Sequence, residues 1–153
     1  MKRTYFTAVA LLAVLLPATL FAQIGIKFRR SGGWCYGSQY EQIFIESNQE
    51  TVSGEVMSID TVTPFRGMDS GIKFVMETER EDIDVHLGPA WFILYQDMIL
   101  KVKDDVEVYG CRTMIDGKKV IMASKLVRGN KMLLLRDDDG IPYWCGWRDR
   151  FSR

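Results

Sequence analysis

The sequence predicts an all-β fold with one short helix, its five strands rolled into a closed barrel. Three observations predict it. Apolar residues alternate with polar ones in five stretches between Thr51 and Val127, which is the period of strands. One stretch departs from that period: Trp91, Leu94, Tyr95 and Met98 stand at helical spacing. Gly54 and Gly110 fall inside strand patterns, where a barrel needs sharp bends.

The elements follow in order. Val52, Gly54 and Val56 alternate with Ser53, Glu55 and Met57 in a first strand. Residues 63–71, with Pro64, Gly67 and Gly71, are turn material. Ile72, Phe74 and Met76 mark a second strand, residues 79–82 a charged turn, and Ile83, Val85 and Leu87 a third strand. Pro89 then opens a helix over residues 89–98, since a first-turn N–H has no helical partner to lose. Trp91 and Tyr95 on it are expected to plug the barrel. Val106 to Met114 is the fourth strand, Asp116-Gly117 a hairpin turn that tolerates positive φ, and Val120 to Val127 the fifth strand. Residues 131–136 form an apolar extension. Residues 39–46 are compatible with either a helix or a strand. Three strands, a helix and two further strands is the order of the OB-fold, and closure removes aggregation-prone edges.

The ends have a different character. Lys2 and Arg3 precede an apolar run from Ala8 to Leu16, Pro17 breaks it, and Ala22 offers a small residue for cleavage. This is the layout of a secretory signal, and the run is short for a membrane span. The expected organisation is a signal peptide over 1–22, a flexible lead segment over 23–48, the barrel over 49–136 and an aromatic tail over 137–153. The chain of 153 residues balances 20 basic against 20 acidic residues. Removing 1–22 leaves it slightly acidic, which argues against a nucleic-acid partner.

Candidate site residues are few. His86 is the only histidine. It alternates out of phase with Val85 and Leu87, so it is expected to point away from the barrel core. There it would contact a ligand, ligate a metal, or orient the strand-to-helix turn. One imidazole is too few for an ordinary zinc site, which favours the orienting role. Lys73, Glu77 and Asp84 share the outward face of the second and third strands with His86 and complete the ligand-binding candidate. That face lacks the aromatics and basic excess that single-stranded nucleic acid needs. Tyr143, Trp144 and Trp147 either dock on the barrel or form a partner-binding patch. Cys35 and Cys145 flank the mature chain, each beside a Trp. A disulfide between them, permitted outside the cytoplasm, would contribute about 3–5 kcal/mol in the chain-entropy model. Cys111 reads as a small core residue, and paired with His86 it makes a poor nucleophile. No catalytic residue is assigned and no cofactor is predicted.

The stretches Thr51-Val-Ser-Gly-Glu-Val56, Val85-His-Leu-Gly-Pro-Ala-Trp91, Leu134-Leu-Arg-Asp137 and Gly140-Ile-Pro-Tyr-Trp144 resemble a group of small exported bacterial proteins of unknown function. Their OB-like domain also occurs in magnetosome-associated periplasmic proteins. The resemblance covers residues 40–147, and it extends more loosely to periplasmic OB-fold proteins linked to stress tolerance. It implies an OB-type barrel outside the cytoplasm. Some such proteins attach haem through Cys-x-x-Cys-His; this chain has no such motif, so covalent haem is not implied.

The expected function is therefore an exported, periplasmic, non-enzymatic binding or adaptor module for a protein partner or small ligand. One alternative is a metal- or haem-handling accessory protein of a redox assembly. Another is an OB domain for oligonucleotide or oligosaccharide.

Overall fold

The computed structural model describes residues 31–35, 37–44 and 49–146. The signal-peptide expectation and Trp147 lie outside the described residues. The described part is mostly β-sheet with two four-residue helices: α1 (Gln39–Gln42), β1 (Gln49–Val62), β2 (Gly71–Glu77), β3 (Asp82–Pro89), α2 (Ala90–Ile93), β4 (Asp105–Ile115), β5 (Lys118–Arg128) and β6 (Lys131–Leu134).

The six strands form one sheet in the order β3-β2-β1-β4-β5-β6, and β3 also pairs with β5. That last pairing is parallel, Asp84 to Val120 through His86 to Met122. The other pairings are antiparallel. The hydrogen-bonded path thus returns from β5 to β3. Long β1 makes the circuit possible. Its first half pairs with β4 as far as Glu55, and its second half pairs with β2 from Glu55 onward. The change of partner falls beside Gly54, where an added Cβ would run into the Glu77 carbonyl. Gly110 serves β4 in the same way: the β4–β5 register shifts between Tyr109 and Gly110, and a Cβ there would meet the Met122 carbonyl.

Inward-facing Val56, Phe74, Met76, Val85, Val108 and Ile121 are fully buried, as period-two alternation requires. Cys111 is buried with them. A second buried layer lies outside β2 and β3. Trp34, Tyr40 and Trp144 are each almost wholly buried. Trp34 packs edge-on to Tyr40 with centroids 4.8 Å apart. The indole N–H of Trp144 donates to the Trp34 carbonyl at 2.7 Å, and that of Trp34 donates to the Asp69 carbonyl at 2.9 Å. Gly71 and Gly88 let these indoles approach, because a Cβ at Gly71 would enter the Trp34 ring and one at Gly88 the Trp144 ring.

Four expectations change. The sheet has six strands and not five, because the apolar extension over 131–136 supplies β6, which pairs with β5. The helix over 89–98 is one turn, Ala90–Ile93, with Pro89 as its N-cap at the end of β3. It buries Phe92 and Ile93, whereas Leu94 is 73% and Tyr95 76% exposed. Phe92 meets Trp144 at 5.6 Å, so the turn packs against the second layer and presents no long amphipathic face to the sheet. Trp91 is half-buried and Tyr95 is no plug. In the lead segment Trp34 and Tyr40 are buried against the rest of the molecule, and the ambiguous stretch opens with α1, capped by the Ser38 hydroxyl.

Cys35 and Cys145 are joined as a disulfide across 110 residues. In the chain-entropy model, opening so long a loop costs about 4–5 kcal/mol. The Cys35→Ser/Cys145→Ser protein is therefore expected to melt more than about 10 °C below the wild type. An equal midpoint by calorimetry would contradict the stabilising role.

Candidate functional site

The site forms where β2, β3 and the β4–β5 turn converge. β2 and β3 pair Lys73 with His86 and Val75 with Asp84, so their outward side chains are neighbours. Lys73 Nζ donates to Asp84 at 2.7 Å. The parallel β3–β5 contact draws the β4–β5 turn alongside, where Asp116 adopts a φ of 48° beside Gly117. A cavity of about 140 Å³ results, with Lys73, Asp84, His86, Asp116, Lys118 and Thr63 among its lining.

His86 lines this cavity with Lys73 and Asp84, yet it is only 3% exposed. Its cover comes from the lead segment. Tyr40 lies nearly parallel to the imidazole with centroids 6.1 Å apart, and its hydroxyl reaches His86 Nδ1 at 3.4 Å. Burial is the main force that lowers the His86 pKa to about 4, and the nearby Asp84 charge only partly opposes it. The ring is therefore neutral at pH 7. Burial also raises the Tyr40 phenol well above its ordinary value, so it keeps its proton.

A second polar knot fastens the same cover. Arg136, after β6, is fully buried at its side chain and forks onto Glu41 of α1 at 2.6 and 3.0 Å. It also donates to the Gly140 carbonyl at 3.0 Å. Phe44 and Trp144 lie against the guanidinium at 4.3 and 5.3 Å. Two donors in a fixed fork match one carboxylate, which is why this position suits Arg and not Lys.

Of the four predicted ligand residues, Lys73, Asp84 and His86 share the cavity. Glu77 stands exposed at the far end of β2, opposite Asp82. In the predicted tail patch, Trp144 is buried and Tyr143 is partly exposed. Sequence reasoning missed Lys118 and Asp116, whose Asp-Gly signal spoke only of a hairpin. It also missed Tyr40 and the Glu41–Arg136 pair, which stand 95 residues apart and carry no local pattern. Among the described residues no three His, Cys, Asp or Glu side chains are grouped to hold a metal ion. No helix among them is long and apolar enough to cross a membrane.

Two outcomes follow from these geometries. The unfolded chain protonates His86 below about pH 6.5, whereas the folded chain resists until about pH 4. Stability is thus complete above pH 6.5 and falls as pH drops toward 4, by roughly 3 kcal/mol in all. Urea unfolding should show this slope between pH 6.5 and 5, and His86→Gln should flatten it; an equal slope in the variant would refute the assignment. Arg136→Met strands Glu41 against the apolar cover and is expected to cost about 3–5 kcal/mol. Adding Glu41→Gln should recover part of that loss, and strictly additive effects in the double-mutant cycle would show the pair to be uncoupled.

No curated protein matches the chain. The family model of the MamS/MamX magnetosome protein family matches residues 48–133. That span is more than half of the chain, and it runs from the start of β1 into β6. With β1 to β5 inside the match, the chain belongs to the MamS/MamX magnetosome protein family.

Proposed function

We propose that this chain is an exported accessory protein of the magnetosome-associated type, acting as a binding or adaptor module and not as an enzyme. Its sheet is read as an OB-type barrel, on the strength of the β3-β2-β1-β4-β5 path and the parallel return to β3. Export is read from the layout of Lys2, Arg3, the Ala8–Leu16 run and Ala22, and it accords with a disulfide between Cys35 and Cys145.

The observation that carries the binding role is one buried imidazole lining a small cavity beside the charged side chains of Lys73, Asp84, Asp116 and Lys118. A buried polar group facing a cavity beside charged side chains is how small-ligand sites fix orientation. The same residues serve acid–base chemistry badly. His86 is neutral with a pKa near 4, far from the operating range of a base at pH 7. The Cys111 thiol lies within the core.

A thermal-shift screen of purified protein against small carboxylic acids, phosphate, primary amines and divalent cations tests the binding role. At least one class is expected to raise Tm by several degrees, and to lose that effect in His86→Gln. No shift from any class would remove the role. Fusing residues 1–22 to alkaline phosphatase tests export separately: activity in the periplasm is expected, and an inactive cytoplasmic fusion would remove it.

A further inference from the structure

Donors and acceptors around the His86 cavity are unequally satisfied. Lys73 and Asp84 are bonded to each other. Tyr40 is 1% exposed, and the only described partner of its hydroxyl is His86 Nδ1. A buried O–H must donate, because an unsatisfied donor costs its full desolvation. Nδ1 is then an acceptor, and a neutral imidazole that accepts at Nδ1 carries its proton on Nε2. Nε2–H therefore belongs to a residue more than nine-tenths buried that lines the cavity, and no described side chain or carbonyl receives it. Lys118 lines the same cavity from the start of β5, and its ammonium has no ion-pair partner among the described residues.

We propose that this cavity binds a carboxylate group, one oxygen accepting from His86 Nε2–H and the other from the Lys118 ammonium. The inference rests on reading the cavity as the binding site. The lining charges sum to zero, Lys73 and Lys118 against Asp84 and Asp116, and the imidazole contributes a donor without a charge. Two donors with no excess positive charge suit a monoanion better than a dianion such as phosphate. A cleft of about 140 Å³ has room for a carboxylate with a short stem. A metal is disfavoured because no three His, Cys, Asp or Glu side chains are grouped to hold one among the described residues. The carboxylate can come from a free small acid or from the end of a protein chain.

His86 is the only histidine, so its ring nitrogens can be observed without assignment. Long-range ¹H–¹⁵N spectra of the intact protein are expected to show the Nε2–H tautomer. Sodium acetate, titrated at constant ionic strength, should move those signals along a saturating curve with a Kd on the order of millimolar, as suits so small a ligand. Lys118→Met should weaken binding at least tenfold while leaving Tm unchanged, because Lys118 is exposed. Acetyl-diglycine as free acid and as amide separates the two sources. Binding of the acid comparable with acetate points to a chain end, and acetate alone points to a free acid. An Nδ1–H tautomer, a linear response to acetate, tighter binding of phosphate, or an unaffected Lys118→Met would overturn the proposal. If acetate fails but an amine or a divalent cation protects the protein in a His86-dependent way, the carboxylate inference falls and the binding role stands.

Discussion

The outer face of β2 and β3 depends on one constraint, the apolar layer that Trp34, Tyr40 and Trp144 lay over it. Without that layer His86 would be an ordinary solvated strand residue. With it, the imidazole is desolvated, oriented by Tyr40 and held neutral. The layer has little secondary structure of its own beyond the single turn α1. It stays in place through the Cys35–Cys145 disulfide, the Trp144–Trp34 hydrogen bond and the Arg136–Glu41 fork.

Those three fasteners differ in physical kind, and they are complementary. The disulfide acts chiefly on the unfolded chain by shortening a very long loop. The indole bond satisfies a donor that would otherwise be buried alone. The guanidinium–carboxylate fork fixes geometry more than it adds stability, because two desolvated charges recover little beyond their hydration. Together they bring both flanks of the sheet to one place. His86 is thereby covered on one side while it lines a cavity built from separate parts of the chain.

The family match and the cover divide the molecule in a suggestive way. Residues 48–133 hold every strand of the closed circuit and also Lys73, Asp84, His86, Asp116 and Lys118. Cys35, Tyr40, Glu41, Arg136, Trp144 and Cys145 lie outside that span. The cavity floor thus belongs to the shared sheet, whereas the groups that desolvate its imidazole come from the flanks.

What the sequence determined by itself was local. Strand periodicity located β1 to β5, since alternation across a pleated surface is written in neighbouring residues. Gly54, Gly110 and Asp116-Gly117 marked bends and a hairpin because only a few residue types accept those backbones. The grouping of His86 with Lys73 and Asp84 was legible in the same alternation. The burial of His86 was not, because the covering residues lie tens of positions away and carry no periodic mark. The spacing of Trp91, Leu94, Tyr95 and Met98 suggested a longer helix. The tertiary structure kept one turn, because Phe92 and Ile93 had partners to bury against and Leu94 and Tyr95 did not. Which polar groups meet at the cavity was decided by the parallel β3–β5 pairing, a contact between distant strands. Long-range pairing of this kind is set by the closure of the whole sheet and by no local preference.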